Sequence, residues 1–234
     1  MGKGRLTYFS YALHGGIDRE LPMLGQVAVK ESDCHFRPHQ FLAREDEQPE
    51  AIFQIDEGWA CRYRLLPDGR RQITGLYLPG DICEPHWALG KRPSQPIVAL
   101  TNVRATRLPC VSDGTLLVES HQACWKSLAE VIDRQTNWLV TLGRKTALER
   151  LAHLLLELFG RMRASGLTYG QQCAMPLTQM EIADLTGLTP VHVNRTLQTM
   201  RARGLVELQS KWLRIPNLAS LREAAALTPN EMLV

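Results

Sequence analysis

Residues 176–215, PLTQMEIADLTGLTPVHVNRTLQTMRARGLVELQSKWLRI, decide the fold of the C-terminal part of this chain. Thr178 precedes a helical run and Glu181 follows three residues later, which is the spacing of a capping box. Ile182 and Leu185 share one face of that run, so they predict its buried side. Gly187 is a typical left-handed stop for the same helix. The first part of the segment therefore predicts a short, well-capped helix that ends in a tight turn.

A second helix and a hairpin follow this turn. Thr189 can cap the second helix, and Pro190 suits its first position because no amide donor is needed there. Gly204 ends this helix, and the apolar stretches 205–208 and 212–215 flank a short polar turn. Helix, turn, helix and hairpin in this order predict a winged helix-turn-helix, which places its second helix in the DNA major groove.

The predicted second helix has two distinct faces. Val193, Leu197 and Met200 follow the spacing of a buried stripe. The opposite face and its edges carry the candidate DNA-contacting side chains Val191, His192, Asn194, Arg195, Gln198 and Thr199. An arginine here can donate two parallel hydrogen bonds to guanine, and a valine can contact a thymine methyl group. The alternative is a solvated helix in an ordinary α-helical domain. The agreement of caps, turn and wing favours DNA binding.

Composition limits the class of protein. The chain has 234 residues, 44% of them apolar, and a net charge of +3. Acidic residues slightly outnumber basic ones up to Gly143, whereas basic residues predominate from Arg144 onward. The positive charge thus accompanies the helix-turn-helix, as a polyanionic partner requires.

The cysteines and the N-terminus exclude several other classes. The six cysteines are far apart, so no zinc or iron–sulfur spacing is visible and no disulfide framework is expected. The N-terminus lacks the apolar core of a signal peptide, and no run approaches the ~18 apolar residues that span a membrane. We therefore expect a cytoplasmic protein with no membrane partner and no bound metal.

The region 26–111 has the pattern of short β-strands. Strand candidates are 27–30, 35–43, 52–55, 59–66, 72–78 and 97–108, and the turn formers Pro-Asp-Gly at 67–69 and Pro-Gly-Asp at 79–81 separate some of them. Strands at this spacing predict a β-sandwich or roll. Residues 83–96 interrupt the strands and are expected to form a short helix and loop.

The region 112–143 has a helical pattern with a heptad repeat. One row of positions consists of Leu117, His121, Cys124, Leu128, Val131, Gln135, Trp138 and Leu142. A neighbouring row that contains Trp125, Ile132 and Leu139 is also apolar, so the apolar stripe is wide. It either serves a dimer, or covers the roll in a monomer. A dimer is favoured because two helix-turn-helix units about 34 Å apart recognise a palindrome.

The predicted architecture is α+β and has four segments. These are an N-terminal lead (1–25), an antiparallel β-roll sensor (26–111), a dimerisation helix (112–143) and a winged helix-turn-helix domain (144–234). A hinge is predicted at 142–144, followed by a helix at 146–164 and a loop at 165–174.

The whole chain resembles the Crp/Fnr family of bacterial transcription regulators. The likeness rests on the roll segments GWACRYRLLPDGRRQI and LPGD, the long helix, and LTQMEIADLTGLTPVHVNRTLQ, in that order. The resemblance covers about residues 26–215 and implies a cyclic-nucleotide-binding-like roll in a homodimer that binds double-stranded DNA at a palindromic site. RNA polymerase is then a candidate partner.

The resemblance also implies roles for individual residues. Arg195 matches the base-contacting arginine of the family, and Thr178 and Gln179 match positions that contact the DNA backbone. The other recognition positions are matched by Thr189, Val191 and Asn194. Many members carry glutamate at the Val191 position, where it can accept from cytosine N4. Because valine cannot accept a hydrogen bond, our hypothesis is a thymine at that base pair.

The predicted sensor domain departs further from the family. Glu84 stands where members that bind cyclic nucleotides carry a ribose-binding glutamate, but the matching arginine position, near Ser94, holds no basic residue. An anionic phosphate buried there without a cation would be poorly compensated. The sequence therefore predicts no cyclic nucleotide response, and no iron–sulfur cluster because the clustered cysteines of oxygen-sensing members are missing.

Cys83, Glu84 and His86 form the candidate effector pocket. A thiol beside an imidazole can be redox-active or bind a metal. The alternative is that Cys83 and His86 only pack in the loop.

Two classes of function remain after these observations. The first is a sequence-specific DNA-binding regulator. The second is a redox- or small-ligand-responsive binding protein whose winged helix makes protein contacts. No motif for a nucleophile elbow, phosphate loop or zinc protease is found, so we do not expect an enzyme.

Overall fold

The computed structural model describes residues 33–47, 51–89, 93–109 and 118–227. The predicted N-terminal lead, the strand candidate 27–30 and the heptad position Leu117 lie outside these ranges. The side chains of His121 and Cys124 are also not described, although both residues belong to a helix.

In the described part of the N-terminal half, seven strands form the roll. They are β1 (Asp33–Phe36), β2 (Phe41–Ala43), β3 (Ala51–Glu57), β4 (Ala60–Leu65), β5 (Arg71–Tyr77), β6 (Ile97–Ala99) and β7 (Val103–Pro109). The order β1-β7-β3 forms one antiparallel sheet and β2-β6-β4-β5 forms another. A core that includes Ile52, Ile55 and Ile97, all without solvent exposure, forms in this region. This arrangement is the predicted antiparallel roll.

Two of the predicted strands are each divided by a turn. The candidate 35–43 becomes β1 and β2, and His39 between them has a left-handed φ of 68°. The candidate 97–108 becomes β6 and β7, which belong to different sheets. The predicted turn formers behave as expected, with φ of 84° at Gly69 and 98° at Gly80. A short 3-10 helix, Pro85–Leu89, interrupts the strands where a short helix is predicted.

Two helices follow the roll. Helix α1 (Val118–Arg144) has 27 residues, and α2 (Ala147–Ala164) begins after Thr146. The Thr146 backbone N–H donates to Glu149 at 2.7 Å, and the Thr146 hydroxyl accepts from the Glu149 N–H at 3.4 Å. This capping box restarts the helix, so the break lies at Lys145. The predicted hinge at 142–144 instead lies within the last turn of α1.

The C-terminal half is a winged helix-turn-helix. It contains α3 (Gln179–Thr186), α4 (Pro190–Ala202) and α5 (Leu218–Ala224). Its small sheet consists of β8 (Thr168–Tyr169), β9 (Gln172–Ala174) and the wing strands β10 (Glu207–Gln209) and β11 (Trp212–Arg214), in the order β10-β11-β9-β8. The predicted loop 165–174 is wrong, since it holds the hairpin of β8 (Thr168–Tyr169) and β9 (Gln172–Ala174), and β9 pairs with β11.

A single apolar core joins this half to the roll. It contains Val193, Leu197 and Met200, the predicted buried stripe of α4, together with Ile73 and Leu76 from β5. None of the described helices is long and apolar enough to cross a membrane.

Candidate nucleic-acid interface

Caps and a glycine turn fix the two helices of the helix-turn-helix. The Thr178 backbone N–H donates to Glu181 at 2.6 Å, and the Thr178 hydroxyl accepts from the Glu181 N–H at 3.2 Å. Gly187 ends α3 with φ of 65° and ψ of 30°. The hydroxyl of Thr189 accepts from the His192 N–H at 3.2 Å and so caps α4. These local contacts are those that the sequence predicts.

The solvent-facing side of α4 presents the predicted contact residues. Val191 is 71% exposed. The polar side chains that share the exposed face are His192, Asn194, Arg195 and Gln198. Thr199 is half-buried, and its hydroxyl donates to the Arg195 carbonyl at 3.1 Å. The structure therefore brings together all of the predicted α4 residues except Thr199, which lies at the edge and bonds its own helix.

One hydrogen bond connects this face to α3. Asn194 Nδ2 donates to Gln179 Oε1 at 3.2 Å. Gln179 is the first residue of α3, and both side chains are exposed. Through this bond Gln179, a candidate contact to the DNA backbone, orients Asn194, a candidate contact to a base. Both residues were predicted from the sequence, but their contact was not, because the geometry of the turn sets the distance between them.

The wing adds a positive charge beside α4. Ser210 and Lys211 form the turn between β10 and β11 with φ of 50° and 63°, a pair of left-handed residues that a two-residue hairpin of type I′ requires. Lys211 is exposed at this tip. Arg201 is tied to the wing, since its guanidinium donates to the Leu208 carbonyl at 2.7 Å. The wing is therefore attached to the end of α4, with a lysine at its tip.

In the roll, the carboxylate of Glu84 is bonded to neighbouring side chains. Glu84 is 5% exposed. Its carboxylate accepts hydrogen bonds from Arg62 at 2.5 Å and from the Tyr77 hydroxyl, and it lies 3.1 Å from His86 Nδ1. Arg62 also donates to the Thr74 hydroxyl at 3.1 Å and the Thr74 carbonyl at 3.2 Å. Arg62 was not predicted from the sequence as a site residue. Its position on β4, which pairs antiparallel with β5, could have indicated its contact with Thr74.

The Cys83 thiol is inaccessible. It has no solvent exposure, and burial raises its pKa well above the ordinary value, with Asp81 and Glu84 adding to the effect. A buried thiol that stays protonated is a poor nucleophile and a poor metal ligand. No cluster of three or more metal-ligating side chains occurs within the described ranges.

A cavity of about 210 Å³ lies between β5 and α1. Its polar lining includes Arg62, Glu84 and Gln135, and its apolar lining includes Trp138, Leu142 and Leu185. Leu185 belongs to α3, so the cavity reaches from the roll to the helix-turn-helix.

The predicted heptad row of α1 faces its own chain. Gln135 donates to the Thr74 carbonyl at 2.7 Å and Trp138 donates to Glu157 at 2.7 Å. Val131 and Leu142 line the cavity, and Leu128 is half-buried. The free face is instead the neighbouring row, where Trp125, Ile132 and Leu139 are 58%, 57% and 76% exposed. The described side chains of the predicted dimer row are therefore engaged by the roll and by α2. Which of the two rows forms the dimer stays a prediction.

Two family models match the chain. The model described as a cyclic nucleotide-binding domain covers residues 33–111, and that described as a Crp-like helix-turn-helix domain covers residues 149–224. The nitrogen fixation regulation protein FixK of Azorhizobium caulinodans is 30% identical over 187 residues, which are 79% of this chain and 75% of that protein. The transcriptional activatory protein AadR of Rhodopseudomonas palustris is 30% identical over 188 residues, 77% of this chain and 75% of AadR.

Solved structures agree with these sequence matches. The structure of FixK2 from Bradyrhizobium japonicum is 26% identical, has a TM-score of 0.74, and matches 85% of this chain and 98% of its own. A CRP-family transcriptional regulator from Thermus thermophilus shares the fold with a TM-score of 0.66 at 21% identity, over 83% of this chain and 97% of that one.

Proposed function

This chain belongs to the Crp/Fnr family of DNA-binding transcription regulators, and we propose that it acts as a homodimer on a two-fold symmetric DNA site. The observation that carries the proposal is the exposed face of α4, where Arg195 and Val191 stand clear of the chain on a helix fixed by caps and core. In each protomer Arg195 contacts guanine, and Val191 packs on a thymine methyl group.

The exposed face of α1 supports the homodimer. Along this face Trp125, Ile132 and Leu139 alternate with the small residues Ala129, Thr136 and Gly143, and all six are exposed. Successive residues of this row are alternately four and three positions apart, which is the heptad spacing of paired helices. Large side chains of one α1 can then enter the spaces beside the small residues of a second α1. We name these six residues the outer face of α1.

The roll favours a regulator that does not respond to cyclic nucleotides and needs no cofactor. The carboxylate of Glu84 is held by Arg62 and Tyr77, so a ribose would have to break a largely buried ion pair to reach it. A nucleotide phosphate gains no cation in exchange, because Arg62 is the partner of Glu84. Saturable binding of cyclic AMP or cyclic GMP at micromolar concentration would contradict this part of the proposal.

The protein is proposed to act in the cytoplasm, because its proposed partner is double-stranded DNA. We assign it no catalytic role and no membrane partner, and RNA polymerase is a further candidate partner. The redox alternative is less well supported, because the Cys83 thiol is buried and its pKa is raised.

Substitution of Arg195 tests the proposed function. Arg195→Ala should cost about 1–3 kcal/mol for each lost bidentate contact, and so remove selective binding while the dimer persists. Arg44→Ala is the matched control, since Arg44 is an exposed arginine of the roll that lies 3.9 Å from Glu47. Equal selectivity in the Arg195 variant and the control would reject the regulator in favour of a winged helix used for protein contacts.

A further inference from the structure

The C-terminal end of α3 is held by side chains from outside the helix-turn-helix. A helix leaves its last four carbonyl groups without partners in the helix. In α3, the Ala183 carbonyl accepts from the N–H groups of Gly187 and Leu188, so the turn itself satisfies it. The Leu185 carbonyl instead accepts from Gln72 Nε2, on β5 of the roll, at 3.2 Å.

The next carbonyl of α3 is also bonded from outside. The guanidinium of Arg150, on α2, donates to the Thr186 carbonyl at 3.2 Å and to the Lys145 carbonyl at 2.9 Å. Lys145 is the break between α1 and α2. Arg150 therefore ties the last turn of α3 to the point where the long helix ends.

An ion pair completes the contact between the roll and α3. Arg71 Nε, on β5, lies 2.7 Å from Asp184 Oδ2, and the two side chains are 30% and 13% exposed. A cation at a helix C-terminus also interacts favourably with the helix dipole. The Arg71 guanidinium lies 5.6 Å from the ring centroid of Tyr63, which holds it over the roll surface.

The apolar core beneath these bonds makes α3 and β5 one packed unit. Ile73 and Leu76 of β5 lie in the same core cluster as Ile182 and Leu185 of α3. Val193 of α4 belongs to that cluster too. A packed core transmits a displacement instead of absorbing it. A shift of β5 would consequently move α3, and α4 with it.

We propose that Arg71 and Gln72 are positioning residues for DNA recognition: by holding the end of α3 on the roll, they fix the direction in which α4 points. This inference rests on the proposed dimer, in which two copies of α4 must match the distance between two half-sites. Contact with one half-site does not require the roll. Contact with both half-sites at once does, because the roll and α1 set the position of each α4 relative to its partner.

The test compares DNA duplexes with different half-site spacing. Duplexes carry the symmetric site that the wild-type protein selects, the same half-sites moved apart or together by one base pair, or one half-site alone. For Arg71→Gln we expect the preference for the native spacing to fall by about fivefold or more, the lower end of usual coupling between sites. Affinity for the single half-site should stay the same, which also shows that the variant is folded.

A charge exchange separates positioning from general stability. Asp184→Arg alone places two arginines against each other and should lower the spacing preference further. The double variant Arg71→Asp with Asp184→Arg restores an opposite pair and should restore the preference. Arg70→Gln is the matched control, since the neighbouring arginine pairs with Asp68 of the same hairpin at 2.8 Å and should keep the wild-type preference.

The outcomes distinguish this inference from the proposed function. A wild-type protein without any spacing preference would contradict the symmetric dimer itself. A wild-type protein with a clear preference that Arg71→Gln and Gln72→Ala both retain would overturn the positioning role alone. A loss that the charge exchange does not reverse would also overturn it.

Discussion

Val191 is the residue at which we propose a base preference that differs from that of family members with glutamate at this position. Its side chain is 71% exposed on α4 and carries only methyl groups to the DNA. A thymine methyl group is an apolar partner for it, whereas cytosine N4 needs an acceptor. Arg195 is exposed on the same face of α4.

Val191→Glu should therefore change the preferred base pair at one position of each half-site. We expect the preference to move from A·T to C·G, because glutamate accepts from cytosine N4, and a good contact discriminates by about 1–3 kcal/mol. Selection of duplexes by the wild-type and variant proteins measures this directly. A preference that does not change at any position would show that Val191 does not face a base.

Cys61 makes the stability of the fold sensitive to alkaline pH. The side chain has no exposure, and burial raises the pKa of its thiol from the ordinary 9.0 to about 12, while Arg71 opposes the rise and Glu181 and Asp184 add to it. The folded state thus binds the proton more tightly than the unfolded state. The contribution of the protonated Cys61 thiol to the free energy of unfolding is complete below pH 9 and is lost as the pH rises toward 12.

The free energy of unfolding should fall between pH 8 and pH 10, by roughly 1.4 kcal/mol from this thiol, because one pKa unit corresponds to that energy. Urea unfolding at the two pH values measures the difference. In Cys61→Ala the decrease should be smaller by about this amount. A decrease equal to that of the wild-type protein would mean that the Cys61 thiol ionises normally in the folded state.

Helix α1 has two apolar faces with different roles. Trp138, in the predicted heptad row, packs against the core of the same chain, and Leu142 lines the cavity. On the outer face of α1, Trp125, Ile132 and Leu139 are exposed. Leu139, at 76% exposure, is the most open large apolar side chain among those described. An exposed apolar row of this length is typical of a protein interface.

Leu139→Lys should weaken the homodimer. Burial of a leucine contributes about 1.5–3 kcal/mol, so we expect a dissociation constant at least about tenfold higher. Sedimentation equilibrium measures it. The control Leu65→Lys changes a leucine that is 60% exposed on the β4–β5 hairpin and should leave the dimer intact. Dimers of equal strength in both variants would place the interface elsewhere.

Gly187 is required where α3 turns toward α4. Its φ of 65° is left-handed, whereas an added Cβ would meet no atom closer than 3.8 Å. Gly187→Ala should therefore cost about 1–2 kcal/mol of stability through backbone strain alone. Gly160→Ala is the control, because Gly160 lies inside α2 with open space around it and should gain up to about 1 kcal/mol. Thermal unfolding compares them, and a neutral Gly187 variant would contradict the strain argument.

At the scale of the whole molecule, the features set by neighbouring residues were predictable from the sequence. The capping boxes, the Gly187 turn and the buried stripe of α4 depend on residues within a few positions of each other. The antiparallel roll was predictable as a class, because turn formers separate short apolar segments. The strand breaks at His39 and between β6 and β7 were not predicted, because neither turn contains a glycine such as those at 69 and 80.

Features that depend on distant residues were not predictable from one sequence. Arg71 and Asp184 are 113 positions apart, and no local pattern indicates that they meet. The strands β8 and β9 have two and three residues, too few to show a period, and β9 pairs with β11 far along the chain. In α1 both rows are apolar, so the pattern could not decide which one faces the roll.

Selection of bound duplexes from a random DNA pool, with purified protein and no added ligand, tests whether the protein is a homodimeric DNA-binding regulator. We expect a two-fold symmetric motif with half-sites about one helical turn apart, near 34 Å, and an A·T pair at the position of Val191. Enrichment of an asymmetric motif, or no DNA binding even at low salt, would contradict this expectation.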